Sequence, residues 1–238
     1  MIKETISRQQ AQKFYDHIGH RYDWFEMYEG KAKMCGIESL QLEPGLRVLN
    51  IGVGTGKEQQ HIDKKIQPGG IAFGLDISPV MMRLTQERII SPVLRADTRH
   101  VPMLAESIER VYAAYVLDMI ALMDITGILS DFERILKPGG RITIISLTEG
   151  VDLSSNMIVS LWKTLYKVSP VVRGGCRPLQ MEDALGQAGF TDITRQVIVQ
   201  LAVPSEITTG QKKIKWMHTS NKTTRLNRRT TRRGKWTG

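Results

Sequence analysis

Short apolar runs alternate with amphipathic or polar stretches along most of the chain, and this spacing predicts a repeating strand–helix unit. Ser7 stands where it can cap a helix running towards His17, and a second helix is expected from about Lys31 to Leu40, before the turn at Pro44-Gly45. Val48, Leu49 and Ile51 form a short apolar strand that breaks into glycines, and Lys57 to Ile66 reads as the following helix. Pro68-Gly69-Gly70 turns the chain into a second strand, Ile71 to Leu75. The next helix has Ser78 as its cap and Pro79 at its first position. A short strand near Pro92 to Ala96 and a stronger one at Arg110 to Leu117 follow. Then come a helix at Gly127 to Leu136 and, after Pro138-Gly139-Gly140, a strand at Arg141 to Leu147. Asn156 to Leu179 is less regular. A helix at Gln180 to Ala188, ended by Gly189, precedes two last strands, near Asp192 to Val199 and Ser205 to Gly210, separated by Pro204.

Strands alternating with helices imply an α/β fold: a doubly wound, mostly parallel sheet covered on both faces. The last two strands have no helix between them, so the final strand is expected to run antiparallel. No internal repeat or break argues for a second domain. Residues 1–210 are therefore expected to form the folded domain, with residues 1–44 as a helical entry segment.

Composition changes this picture little. At 238 residues the chain can bury a large core, and 41% hydrophobic with 24% charged residues is ordinary for a globular protein. Two cysteines, far apart, argue against a disulfide framework or a zinc site and fit a reducing compartment. The opening residues do not resemble a signal peptide, and the longest apolar run in the body, Val111 to Leu117, is too short to span a bilayer. A cytoplasmic location is expected. The net charge of +9 is concentrated in residues 211–238, which hold ten Lys or Arg and no acid. That tail is expected to be disordered, either simply solvated or attached electrostatically to an anionic membrane or RNA.

The candidate chemistry begins at Val48-Leu49-Asn50-Ile51-Gly52-Val53-Gly54-Thr55-Gly56. An apolar strand runs into a glycine-rich turn that opens a helix, the place where doubly wound sheets bind ligands. Glycines at 52, 54 and 56 permit positive φ and close backbone approach, and the helix N-terminus favours a carboxylate. A phosphate-cradling P-loop is excluded, because Glu58 follows Lys57 and Ile51 occupies the first glycine position. The dinucleotide fingerprint fails at position 57, which is lysine. Asp76 ends the second strand, where an acid can hold both hydroxyls of a ribose. Asp97, with Thr98 beside it, ends the third strand, where an acid can accept from an adenine amino group. Their bland readings are a helix cap and a loop acid.

Together these segments resemble the motifs of class I S-adenosylmethionine-dependent methyltransferases. Val48 to Gly56 is similar to the first motif, Gly74 to Met82 to the second, and Arg95-Ala96-Asp97-Thr98 to the third. Val111 to Ile120 is similar to the fourth, and Leu136 to Arg141 to the stretch before the fifth strand. The resemblance covers roughly residues 14–210. It implies a seven-stranded Rossmann-like sheet with the last strand antiparallel, and S-adenosyl-L-methionine as cofactor. Gly52, Gly54 and Gly56 would lie under the methionine part, Asp76 on the ribose and Ile77 on an adenine face. Asp97 would meet the adenine amino group, with Thr98 next to it, and Tyr115 would border the methyl-transfer site. Asn50 departs from the pattern, because the family usually has an acid there. Phe14-Tyr15-Asp16 and Arg21-Tyr22-Asp23 resemble the entry segment of the ubiquinone and menaquinone biosynthesis methyltransferases and related phospholipid methyltransferases. There it folds over the cofactor, and Tyr22 would touch it. Packing of these aromatics onto the sheet is the alternative reading.

Methyl transfer needs alignment and exclusion of water more than a strong nucleophile or a metal, and no metal-ligand cluster is read in the sequence. A carbon acid or ammonium acceptor also needs a base, for which Tyr15, His17, His20 and Tyr115 are candidates; His100 reads as a surface residue. The expected reaction is methylation of a small or lipid-like acceptor, a quinone precursor or a phospholipid amine. RNA or protein methylation recruited through the tail, and a non-catalytic binding module, are the alternatives.

Overall fold

The computed structural model describes residues 5–170 and 174–214. Seven strands, β1 (Arg47–Ile51), β2 (Ile71–Asp76), β3 (Val93–Arg95), β4 (Ile108–Ala114), β5 (Leu136–Leu147), β6 (Phe190–Gln200) and β7 (Val203–Lys212), form one sheet in the order β3-β2-β1-β4-β5-β7-β6. The pairs from β3 to β5 are parallel, and β7 runs antiparallel to both β5 and β6. The expected doubly wound sheet with an antiparallel last strand is what the chain forms. Among the described residues no helix is long and apolar enough to cross a membrane.

The pleat divides the core. Leu49, Ile51, Val111, Ala113, Ile142 and Ile144 pack on α5 (Leu122–Ile135) and α7 (Glu182–Gln187). Val48, Ala72, Tyr112, Ile145 and Ile207 pack on α2 (Glu26–Ser39) and α3 (Lys57–Ile66). Strand order reverses between β1 and β4, so the crevice for a ligand opens beyond Ile51 and Ala114.

The helix starts were well marked. Ser7 caps α1 (Arg8–Ile18) in a reciprocal box with Gln10, and Ser78 accepts from the Met81 amide to cap α4 (Pro79–Arg88). Several boundaries differ from expectation. A 3-10 turn, Gly19–Phe25, leads directly into α2, which starts at Glu26, five residues before Lys31. β4 stops at Ala114, because Tyr115 takes a positive φ of 55° and Leu117–Met119 winds into a 3-10 turn. α5 starts at Leu122, five residues before Gly127. Pro138-Gly139-Gly140 lies inside β5, where the register slips against β4 between Ile108 and Arg110. The first half of the less regular stretch from Asn156 to Leu179 belongs to a helix, α6 (Leu153–Val168). It buries Ser155, Val159 and Tyr166 and turns Leu153, Met157, Leu161 and Val168 to solvent. The last hairpin turns at Leu201-Ala202, both with positive φ, and Pro204 sits within β7 opposite Val199. Lys212 is buried against Glu106 and Glu133, so the expected boundary at residue 210 falls two residues inside the sheet. The rest of the expected tail, from residue 215, lies outside the described residues.

Phe132 is fully buried between α5 and the sheet. Phe132→Ala should cost about 3–5 kcal/mol in urea unfolding; a loss below about 1 kcal/mol would mean that this layer does not carry the core.

Candidate active site

β1 delivers the chain to Gly52, Gly54 and Gly56, with φ of 67°, 57° and 83°. The Gly52 and Val53 amides both donate to the Leu75 carbonyl, at 2.7 and 3.0 Å, which ties the loop to the end of β2. The glycines answer to different neighbours. A Cβ at Gly52 would lie 2.2 Å from Val116 Cγ2, and one at Gly56 would lie 2.9 Å from Thr85 Cγ2. At Gly54 it would reach the Tyr22 ring at 3.4 Å. Close packing of protein therefore requires two of them, and Gly54 is the one that faces the N-terminal segment.

At the end of β2, Asp76 is buried and accepts from the Gly54 amide at 3.0 Å and the Ser78 amide at 2.9 Å. Burial pushes its pKa up to about 6, against the lowering effect of those amide bonds. The bland reading as a local cap is thus partly correct, since one oxygen holds the Ser78 amide. Ser78 Oγ in turn donates to Asp16 of α1 at 2.6 Å. Asp97, after β3, is paired with Arg8 Nε at 3.2 Å and Arg99 Nη1 at 3.3 Å. Thr98 is buried, and its hydroxyl has no hydrogen-bond partner.

These residues line one cleft of about 730 Å3. Gly52, Gly54, Asp76, Ile77, Asp97, Thr98, Tyr22 and Tyr115 all border it. Gly56 and Asn50 do not; Asn50 lies behind the loop in a smaller cavity with Lys33 and Glu58. The three strand ends that the sequence singled out are thus brought together. The candidate bases fare differently. His17, His20 and His100 are exposed and line neither the cleft nor the chamber beside it. Tyr115 shares a 2.6 Å hydrogen bond with Ser205 Oγ, and Tyr15 donates to the Met119 sulfur. Burial pushes both phenols well above their ordinary pKa, which suits walls rather than proton acceptors.

A second chamber of about 1010 Å3 adjoins the cleft across Tyr15, Tyr22 and Tyr115. Its wall is aromatic, with Phe14, Phe25, Tyr28 and Trp162, and it contains two buried carboxylates, Glu29 and Asp118. Asp118 accepts weakly from the Leu147 amide at 3.4 Å, with the Arg177 charge and the Cys176 thiol nearby. Burial raises Asp118 to about 7; it also raises Glu29 to about 7 in spite of Lys33 at 3.1 Å. The fully buried Arg177 donates to the Asp118 carbonyl at 2.9 Å and also to that of Ile120, and so fixes the turn that carries the acid. Sequence reading missed both carboxylates. Asp118 was visible only as the polar end of an apolar run, and Glu29 lay ahead of the expected helix.

Residues 49–144 match a family model described as a methyltransferase domain. A ubiquinone/menaquinone biosynthesis C-methyltransferase, UbiE, from Cupriavidus pinatubonensis is 27% identical over 144 residues, which is 58% of this chain and 54% of that protein. The chain thus spans about half the length of that curated relative. A methyltransferase from Haloferax volcanii, solved in complex with the Trm112 activator, superposes with a TM-score of 0.70 at 18% identity, covering 87% of this chain and 100% of that one. Haemonchus contortus phospholethanolamine N-methyltransferase 2, solved with phosphomonomethylethanolamine and S-adenosylhomocysteine, gives 0.63 at 16% identity, covering 87% and 60%. The family model covers residues 49–144 of the 238, and the structural likenesses show a shared fold. In sequence the chain is similar to ubiquinone/menaquinone biosynthesis C-methyltransferases, at 25–27% identity over 58–66% of its length.

Asp118 holds its proton in the folded state up to about pH 7, whereas an unfolded aspartate loses it near pH 4. The stability this group contributes is complete below about pH 4 and is lost as pH rises through about 7. Asp118→Asn should therefore flatten the fall in Tm between pH 5 and pH 8 by a few degrees, on the order of 2–4 °C per kcal/mol. Parallel pH profiles for the two proteins would contradict this.

Proposed function

We propose that the chain transfers a methyl group from S-adenosylmethionine to a small, lipid-like acceptor, a quinone precursor or a phospholipid amine. The observation that carries this reading is the pair of chambers that meet at Tyr22 and Tyr115, one at the strand ends with Asp76, Asp97 and Thr98 in its wall and one aromatic. The residues fit the cofactor. Asp76 offers a carboxylate oxygen to the ribose, Ile77 an apolar face to adenine, and Asp97 with the unpartnered Thr98 hydroxyl an edge to its polar atoms. When bound, the cofactor supplies an electrophilic methyl group on a sulfonium, so the protein has to align the acceptor and exclude water.

Tyr15, Tyr22 and Tyr115 wall the point of transfer, and α1 with the 3-10 turn covers it. An acceptor that must lose a proton needs a base with a pKa near the working pH. Asp118 and Glu29 border the acceptor chamber and meet that condition, which the exposed histidines do not. The curated relative is a C-methyltransferase, and one structural neighbour is an N-methyltransferase; a proton-accepting carboxylate serves either acceptor. α6 lends support to a lipid-like acceptor. Its Trp162 borders the chamber, while its outer face carries the apolar stripe from Leu153 to Val168, suited to the edge of a membrane.

The test is transfer of labelled methyl from the cofactor to quinone and phospholipid extracts. Asp76→Ala should weaken S-adenosylhomocysteine binding about 10- to 100-fold in calorimetry, the worth of one charge-assisted hydrogen bond. Asp118→Asn should keep that affinity and lower turnover about 100-fold or more. Wild-type protein that binds the cofactor product yet labels neither extract would overturn the acceptor assignment.

A further inference from the structure

The chamber beside the cleft has a charge balance of its own. Two acids, Glu29 and Asp118, border it, and among the described residues no lysine, arginine or histidine does. A chain of rings runs along its wall, from Phe14 through Tyr15, Tyr22 and Phe25 to Tyr28, with neighbouring centres 5.2 to 5.8 Å apart. Trp162 of α6 borders the same space. Aromatic rings attract a cation through their faces, most strongly where water is excluded. One of these rings already does so, since the Lys33 ammonium stands 4.9 Å from the centre of Tyr22.

The cations nearest the two acids are committed elsewhere. Arg177 gives its terminal nitrogens to the Asp118 and Ile120 carbonyls, and Lys33 divides its charge among Glu26, Glu29 and Glu58. The Cys176 thiol beside Asp118 and the phenols of Tyr15, Tyr22 and Tyr115 stay protonated, because burial pushes each well above its ordinary value. Glu29 and Asp118 therefore rise to about 7, and the charge of Asp118 adds to the rise of Glu29. We propose that this chamber takes its acceptor as an ammonium, an amine carried on an apolar body, with Asp118 facing the charge, Glu29 reinforcing it and the rings enclosing it. The inference rests on the methyl-transfer reading above and narrows it to the amine. A quinone precursor brings neutral or anionic oxygens, which two acids do not favour. A phosphate joined to the amine finds no cation among the described lining residues and stays outside the chamber. An ammonium has no lone pair to offer a methyl group. It first passes one proton from nitrogen to the Asp118 carboxylate, which leaves a neutral amine beside a neutral acid.

The test is calorimetry on the full chain saturated with S-adenosylhomocysteine, with 2-phenylethylamine, the neutral 2-phenylethanol and 1,4-naphthoquinone as probes. At pH 8 the amine should bind about 10- to 100-fold more tightly than the alcohol. Below about pH 7 the acids hold their protons, and an entering ammonium has to displace one. Amine affinity should therefore fall about 10-fold per unit from pH 7 to pH 5. About one proton should be released per amine there, read from the heats in two buffers of different ionisation enthalpy. The alcohol should show neither effect. Asp118→Asn should weaken the amine about 10- to 100-fold and leave the alcohol within about 2-fold; the pH series on the wild-type protein decides the question without any variant. Equal affinity for amine and alcohol, tighter binding of the naphthoquinone, or amine binding that ignores pH would overturn this inference and leave the methyl-transfer reading in place. Protein that does not bind S-adenosylhomocysteine would overturn both.

Discussion

The pleat of β1 is the constraint on which the rest of the molecule depends. Five residues, four of them buried, present Leu49 and Ile51 to one helix layer and Val48 and Asn50 to the other. With β2 on one side and β4 on the other, the strand has no room to slip, because a one-residue shift would put Asn50 into the α5 layer. The same register fixes where the strand ends. Its last pairing sets Ile51 against Leu75 and Ala113, so Gly52, Asp76 and Tyr115 emerge close together at the carboxyl edge. The crevice follows from strand order, and its polar lining from where each strand stops.

That edge concentrates buried charge. Asp76, Asp118, Glu29 and Lys33 are each nearly inaccessible to water and Glu58 is partly buried, an expense no core requires for its own stability. The structure offsets it unevenly. Glu58 has Lys33, and Asp76 has two loop amides. Asp118 has one long amide bond, with the Arg177 charge and the Cys176 thiol nearby. The two acids raised to about 7, Asp118 and Glu29, face the larger chamber, and Asp76, held by two amides, faces the glycine loop. This gradient is what a site needs if one side holds a fixed ligand and the other exchanges protons.

The sequence made the central strands and their polar ends legible because backbone chemistry marks them locally. Ser78 before Pro79 and glycines after Ile51 leave few alternatives. The end of β4 was not legible, because Tyr115-Val116-Leu117 stays apolar after the strand has turned away. Only the tertiary bond from the Tyr115 amide to the Ile145 carbonyl shows where it bends. α6 escaped for a different reason: its apolar stripe from Leu153 to Val168 faces solvent, so the apolar positions do not mark the side that meets the core. Lys33 was invisible as a buried charge because its partners come from α2 and α3, and no spacing in the chain announces a three-body cluster.

The N-terminal segment closes the cleft by touching each strand end in turn. Arg8 meets Asp97 after β3, Asp16 accepts from Ser78 after β2, and Asp23 accepts from Thr55 in the glycine loop at 2.6 Å. Tyr22 sits against Gly54 between them. The Arg8 pair is half in water, and such pairs contribute about 0–1 kcal/mol. The segment buries few large apolar groups of its own: α1 buries only Ala11, and the 3-10 turn none. Its hold on the strand ends is thus mainly polar, and bonds of that kind are easily exchanged for water or for ligand. Arg8 and an adenine amino group would compete for the same Asp97 carboxylate. A segment held this way can open to admit a nucleoside, whereas one bound through a large apolar face could not do so at comparable cost.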